Sequence, residues 1–130
     1  MRDGEVVELR AEIRREEVLG FLGYPADRAP PPRLEPLLLE ALALARALAR
    51  PRGVAMQLGV ERASEVGLEP IAGAVRLVIG LCTAGPSIED RVGALTAADP
   101  TRALLLDAAG SAAAEEAADR LGALVVGAGE

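Results

Sequence analysis

Residues 75–119 decide the predicted fold. They comprise VRLVIGLCT at 75–83, AGPS at 84–87, IEDRVGALTAADP at 88–100 and TRALLLDAAGSAAAEEAAD at 101–119. The first run is rich in leucine and β-branched residues and carries one charge, which predicts a strand buried on both faces at the centre of a sheet. Glycine and proline end that strand. The capping-box spacing from Ser87 to Asp90 then predicts the start of a helix, so the segment indicates a soluble α+β domain.

A second, longer helix is predicted from Asp99 to about residue 123, because Asp99 can cap it and Pro100 can occupy its first turn. Its inner face consists mostly of small residues, which would let the helix approach a sheet or another helix closely. These residues are Ala103, Leu106, Gly110, Ala114, Ala117 and Leu121.

The same helix carries an acidic stripe at successive i, i+4 positions: Asp107, Ser111, Glu115 and Asp119. A solvated helix face explains such a stripe without any function. The functional alternative is that Asp107 and Glu115 meet partners elsewhere, with Arg76 and Arg91 as candidates inside the chain. On the neighbouring face, Glu116 and Arg120 have the spacing of a favourable ion pair.

These motifs resemble a known family in their order and spacing. Thr83-Ala-Gly85, then residues 88–92 (IEDRV), then the Asp99 to Asp119 pattern are similar to the activation domain of cobalamin-dependent methionine synthase. They resemble its stand-alone bacterial relatives more closely. The resemblance implies an α+β fold with a central antiparallel or mixed sheet and packed helices.

The resemblance also indicates further candidate site residues. The segment 18–24, which ends in Leu22-Gly23-Tyr24, is similar to the N-terminal part of the stand-alone relatives. Tyr24 is either an anchor over the core edge or a stacking contact for a flat ligand. The cofactor-binding residues that the resemblance implies are Tyr24, Thr83, Gly85, Asp107 and Glu115.

The implied function is an accessory or binding role in corrinoid-dependent methyl transfer, with cobalamin carried by a partner protein. In methionine synthase the related domain binds S-adenosylmethionine through a motif like Arg-Pro-x-x-Gly-Tyr, which this chain lacks. Two alternatives therefore remain: a component that uses S-adenosylmethionine once a partner chain completes its site, and a structural assembly module. Whether the chain is an enzyme stays open. The expected partners are a corrinoid protein or methionine synthase-like subunit and further copies of the chain.

Composition limits the other classes of function. The 130 residues, with 51% hydrophobic and 2% aromatic residues, predict one domain over 1–130 with a core of aliphatic side chains. A net charge of −6 argues against nucleic acid and anionic membranes. Without histidine and with Cys82 alone, no soft-metal ligand set is expected, and Cys82 is predicted to be an inert buried thiol. No signal peptide or membrane span is recognisable, and a cytoplasmic location is expected.

The first half of the chain is expected to add an edge strand at 5–13 and a short helix that ends at Gly23. An amphipathic helix at 34–50 should cover one side of the sheet with Leu37, Leu38, Ala41, Leu42, Ala45 and Leu48. A strand at 54–60 follows. The segment 61–73 is predicted to form turns around a short extended piece.

Overall fold

The computed structural model of the chain describes residues 1–69, 73–74 and 76–129. Within these ranges it is an α+β protein with a three-stranded antiparallel sheet, which confirms the predicted fold class. The strands are β1 (Val7–Glu8), β2 (Arg52–Gly59) and β3 (Arg76–Thr83). The α-helices are α1 (Arg15–Phe21), α2 (Glu35–Leu48), α3 (Pro86–Leu95) and α4 (Pro100–Gly129). Two 3₁₀ helices lie at Pro32–Leu34 and Val60–Val66.

The centre of the sheet is β2, and the prediction that the apolar run at 75–83 forms a doubly buried central strand is wrong. The strand order is β1-β2-β3, so β3 lies at an edge of the described sheet. Residues along β3 are only half-buried or exposed. The apolar composition of β3 suggested that both of its faces are buried. An apolar strand needs only one covered face, and nothing in its sequence says whether the second face is covered. Val75, the first residue of the predicted strand, and Pro70, a predicted turn residue, lie outside the described residues.

One face of the sheet packs on α4. The β2–β3 register places Gly53 opposite Cys82 and Ala55 opposite Gly80, and opposed residues of an antiparallel pair point to the same face. Leu121 of α4 lies over this face. A Cβ atom added to Gly80 would lie 3.0 Å from Leu121 Cδ2. The two strand glycines thus allow Leu121 to approach the strands closely.

The helix α4 connects two hydrophobic clusters. Its first half joins α1, α2 and α3 in a larger cluster that includes Ile13, Leu38, Leu105 and Leu106. Its second half contributes Ala117 and Leu121 to a smaller cluster with the sheet. Because the larger cluster forms between helices, α2 packs mainly on α4 and does not cover the sheet as expected. Its predicted inner residues Leu38, Ala41, Leu42 and Ala45 are nevertheless buried.

Helix ends follow the sequence signals with two exceptions, the end of α4 and the start of α3. The carboxylate of Asp99 accepts a hydrogen bond from the backbone N–H of Arg102 at 3.2 Å, and Pro100 begins α4, as predicted. The helix runs to Gly129, further than residue 123. The capping box at Ser87 is wrong: α3 begins at Pro86 after Gly85, and no side chain caps it. Gly23 ends the first helical segment with a φ of 89°, as expected.

A 3₁₀ helix at Val60–Val66 forms the first part of the segment 61–73, and residues 70–72 of that segment lie outside the described residues. This 3₁₀ helix ends at Gly67, whose φ of 76° makes the predicted turn. In the N-terminal part, the edge strand predicted over 5–13 is reduced to the two residues of β1, which pair with Arg52 and Gly53. The rest of that segment sends Leu9 and Ile13 into the two clusters.

Candidate functional site

A cavity of about 270 Å³ lies where the end of β3, the helix α3 and the middle of α4 meet. The turn between β3 and α3 forms one wall, and the facing sides of the two helices form the others. Its lining residues are Cys82, Thr83, Ala84, Gly85, Ile88, Glu89, Val92, Asp107, Gly110, Ser111 and Ala114. Three of the five predicted cofactor-binding residues, Thr83, Gly85 and Asp107, are therefore neighbours around one space.

Two hydrogen bonds donated by backbone N–H groups hold the turn at this cavity. The N–H of Gly85 donates to Thr83 Oγ1 at 3.0 Å, and the N–H of Arg50 donates to the carbonyl oxygen of Ala84 at 2.7 Å. Gly85 has a φ of 96°, in the left-handed region that favours glycine. A Cβ atom there would also lie 3.1–3.3 Å from Arg50 atoms. Glycine is thus required at position 85 both for its conformation and for its contact with Arg50, two residues after the end of α2.

Close packing of α3 on α4 forms the floor of the cavity. A Cβ atom on Gly110 would lie 2.9 Å from Ile88 Cγ2, so glycine at this position lets the two helices meet. Ile88 is 3% exposed. The next residue of α4, Ser111, is half-buried and lines the cavity. The small residues of the α4 stripe therefore shape this space as well as the contact with the sheet.

The charged groups of the lining are acidic. Glu89 and Asp107 are both exposed carboxylates, and neither forms an ion pair with any residue in the described part of the chain. No arginine is among the lining residues. The arrangement favours a neutral or positively charged group over a phosphate or carboxylate. Glu89 was not among the predicted site residues, although its position four residues after Gly85 places it one helical turn from that turn residue.

Cys82 lines the same cavity and is half-buried. Its Sγ lies 3.9 Å from the carbonyl oxygen of Ala114, a weak contact with α4. The prediction that Cys82 is a buried thiol is therefore wrong, since its side chain is half-buried. Cys82 lies on the face turned to α4, and it stays partly exposed because it lines the cavity at the edge strand β3.

The remaining two predicted site residues lie apart from the cavity. Tyr24 is half-buried and packs against the larger hydrophobic cluster, with the guanidinium carbon of Arg28 6.0 Å from its ring centroid. Glu115 lines a separate surface groove with Glu17, Gly20, Phe21 and Asp119. The structure thus brings neither residue to Thr83, Gly85 and Asp107.

The predicted arginine partners of the acidic stripe are not observed. Neither Asp107 nor Glu115 pairs with Arg76 or Arg91, all of which are described residues. Both carboxylates are exposed, so each is solvated without a tertiary partner. Asp107 and Glu115 therefore fit the alternative in which the acidic stripe is a solvated helix face.

The buried carboxylate of α4 is Glu116, which is 5% exposed. Its Oε1 lies 3.5 Å from Nη2 of Arg14, and the predicted pair between Glu116 and Arg120 does not form within salt-bridge distance in the described residues. The carboxylate of Glu116 raises the pKa of the Arg14 guanidinium above its ordinary value. Burial and the same carboxylate raise the pKa of Glu17. The tertiary ion pair that the sequence predicted for Glu115 is therefore formed by its neighbour Glu116, with Arg14 of the N-terminal segment.

No group of three or more histidine, cysteine, aspartate or glutamate side chains is placed to hold a metal ion within the described residues. Across those same ranges, the helices are too short or too polar to cross a bilayer. In comparisons with known proteins, no family model matches the chain and no curated protein matches it significantly.

Proposed function

We propose that this chain is a binding or accessory protein of corrinoid-dependent methyl transfer, and that the corrinoid it serves is carried by another protein. The observation that supports the proposal is the meeting of Thr83, Gly85 and Asp107 in one cavity. These residues come from two segments that carry the resemblance to the methionine synthase activation domain. Residues that are distant in sequence and share a cavity are a stronger indication of a binding site than the same residues dispersed over the surface.

The cavity does not fit a corrinoid itself. Its volume of about 270 Å³ is small, since pockets for drug-sized ligands span roughly 300–1,000 Å³. The chain also has no histidine that could bind cobalt. The proposed role is therefore contact with a corrinoid-loaded protein, in which the cavity receives a small group of the partner or of its ligand.

A second candidate function is a component that uses S-adenosylmethionine and whose site a partner chain completes. The acidic lining favours it, because Glu89 and Asp107 suit a ligand with positive charge. A cavity of this size can enclose only part of such a molecule, so the second chain is essential to this candidate. The isolated chain is expected to bind S-adenosylmethionine weakly or not at all.

Titration calorimetry separates the two candidates. The purified chain is titrated with the cobalamin-loaded domain of a methionine synthase, with hydroxocobalamin alone, and with S-adenosylmethionine in the presence and absence of the loaded domain. The proposal expects a heat signal with the loaded domain only. A signal with S-adenosylmethionine that requires the loaded domain would favour the second candidate, and no signal with any probe would refute both.

A cavity-filling variant links the binding to the site. Ser111→Leu fills the cavity from its α4 wall and is expected to weaken binding of the loaded domain at least about tenfold, a loss of about 1.4 kcal/mol. Thr101→Leu, an exposed position on the same helix outside the cavity, is the matched control and should bind normally. Thermal unfolding of both variants checks that each is folded. Equal binding by both variants would exclude the cavity from the interface.

A further inference from the structure

One guanidinium at the start of α1 meets three carboxylates. The Nε of Arg14 lies 3.4 Å from Glu12 Oε2. The Nη2 of the same side chain lies 3.5 Å from Glu116 Oε1, and its Nη1 lies 3.7 Å from Glu17 Oε1. Glu17 belongs to α1 and Glu116 to α4. When all four groups are ionised, one positive charge therefore faces three negative charges at the place where α1 meets α4.

The three carboxylates differ in their access to water. The side chain of Glu116 is 6% exposed, that of Glu17 31% and that of Glu12 65%. Water screens the charge of an exposed carboxylate such as Glu12, whereas charges that are shielded from water interact more strongly. The repulsion that Arg14 has to offset therefore lies mainly between Glu17 and Glu116.

No second cation forms an ion pair with Glu17 or Glu116 in the part of the chain that the structure describes. Glu115 and Asp119 of α4 line a groove with Glu17 and add further negative charge. The neighbouring cation of α1, Arg15, pairs with Glu35 of α2. A proton bound between the two carboxylates would remove the excess negative charge without another side chain.

The pKa of Glu17 reflects this arrangement. Burial raises the pKa most, and the charge of Glu116 and a hydrogen bond to Glu116 raise it further, as does the charge of Asp119. The guanidinium of Arg14 acts in the opposite direction but does not prevail. Glu17 therefore keeps its proton to a higher pH than an ordinary glutamate, and its neutral carboxyl can donate to the Glu116 carboxylate.

The hold of α1 on the fold depends on its contact with α4. The helix has seven residues, too few to be stable by itself in water. Its buried residues, Val18 and Leu19, pack into the larger hydrophobic cluster with residues of α4. A change of charge beside these two residues therefore shifts the equilibrium between docked and undocked α1.

We infer that Glu17 and Glu116 form a proton-dependent contact that holds α1 on α4. With its proton, Glu17 donates a hydrogen bond to Glu116 and α1 stays docked. When Glu17 releases the proton to water, the two carboxylates repel and α1 opens more often, which exposes Val18 and Leu19 while the rest of the fold stays intact. Because the pKa of Glu17 is raised in the folded chain, the contact is strongest at low pH and weakens as pH rises through that pKa. The inference is independent of the proposed function, since neither glutamate lines the cavity.

Amide hydrogen exchange, measured by NMR and corrected for the intrinsic exchange rate at each pH, tests the local opening. The reporters are the backbone N–H groups of Val18 and Leu22, which donate to the carbonyl oxygens of Arg14 and Val18. A local opening exposes little surface, so exchange of these amides should be insensitive to low urea. Their protection should fall at least about threefold between about pH 5 and pH 7.5. Exchange that follows the urea dependence of global unfolding at every pH would overturn the inference.

Glu17→Gln is the test variant, because a glutamine amide can donate to Glu116 at every pH. Protection of its α1 amides should not change over the same pH range. Glu16→Gln is the matched control, since Glu16 is exposed on the same helix and forms no ion pair within the described ranges. It should keep the pH dependence of the native chain. A pH dependence that persists in Glu17→Gln would refute the role of this carboxyl.

NMR titration of the Glu17 side-chain carboxyl carbon tests the geometry independently of exchange. Glu116→Gln removes the carboxylate that faces Glu17 and should lower the pKa of Glu17. Glu115→Gln removes an exposed charge one position away on α4 and should lower that pKa less. Thermal unfolding checks that both variants are folded. A pKa of Glu17 that is the same in Glu116→Gln as in the native chain would overturn the inference.

Discussion

Gly80→Ala is expected to lower the free energy of unfolding in the native chain and to raise it in a Leu121→Ala background. In the native chain, a Cβ atom on Gly80 would lie 3.0 Å from Leu121 Cδ2 and 3.7 Å from its Cγ. The next neighbour, the carbonyl oxygen of Val54, lies at 3.9 Å, which is ordinary contact. Leu121 is therefore the only close obstacle to a methyl group at this position among the described residues.

The magnitudes follow from that geometry. Leu121 is 4% exposed, and Leu121→Ala should cost about 2–5 kcal/mol in the free energy of unfolding. Gly80→Ala alone forces Leu121 to move, which costs about 1–3 kcal/mol, partly offset by the ~0.5–1 kcal/mol that alanine gains over glycine in a strand. In the Leu121→Ala background the new methyl group meets free space, so the same substitution should stabilise by about 1 kcal/mol. The two sites should therefore couple by about 2 kcal/mol, within the range seen for residues in contact.

Urea denaturation of the four proteins of this cycle, followed by far-ultraviolet circular dichroism, measures the coupling. Gly93→Ala is the control. It lies in α3 with nothing within 4 Å of an added Cβ atom, and it should stabilise both backgrounds equally, by about 1 kcal/mol. If Gly80→Ala shifts stability by the same amount with and without Leu121, then Leu121 does not cover the strand as described.

Glu17→Gln should raise the free energy of unfolding at pH 7 and leave it unchanged near pH 3. Burial and Glu116 raise the pKa of Glu17 in the folded chain, so its contribution to stability is present at low pH and is lost as pH rises through that raised pKa. Between pH 3 and pH 8, the denaturation midpoint of Glu17→Gln should rise increasingly above that of the native chain. Parallel curves for the two proteins would contradict this. Gly85→Ala should destabilise more than Gly23→Ala in thermal unfolding, because both glycines have positive φ but only Gly85 meets Arg50 at 3.1–3.3 Å. Equal losses would show that backbone conformation alone matters.

Local signals in the sequence predicted most of the helical architecture. Asp99 and Pro100 located the start of α4, and the apolar spacing of α2 identified its buried residues. Both predictions rest on interactions within a few residues, which the sequence contains in full. The prediction of a doubly buried β3 was wrong because the cover of its second face depends on elements distant in the chain, which local signals do not report.

The acidic helix face illustrates a different source of error. The i, i+4 stripe drew attention to Glu115, but the buried residue is its neighbour Glu116. Helical geometry already indicated this, because Glu116 follows the buried residues Ala112 and Ala113 by four and three positions. Its partner Arg14 could not be found, since it lies in the N-terminal segment and no periodicity connects the two. Of the candidate site, sequence resemblance supplied three cavity residues, whereas the place of Glu89 in the same lining required the three-dimensional arrangement.

The continuity of α4 limits which insertions the chain can tolerate. One helix supplies Leu105 and Leu106 to the helical cluster and Leu121 to the sheet cluster. A single residue inserted between Ala113, the last α4 member of the helical cluster, and Ala117 would rotate everything after it by about 100°. Leu121 would turn away from Gly53 and Gly80, and the sheet would lose its cover while the helical cluster stayed intact. An insertion in the exposed segment 25–29 would rotate nothing, so length variation among homologous chains should occur there and not within α4.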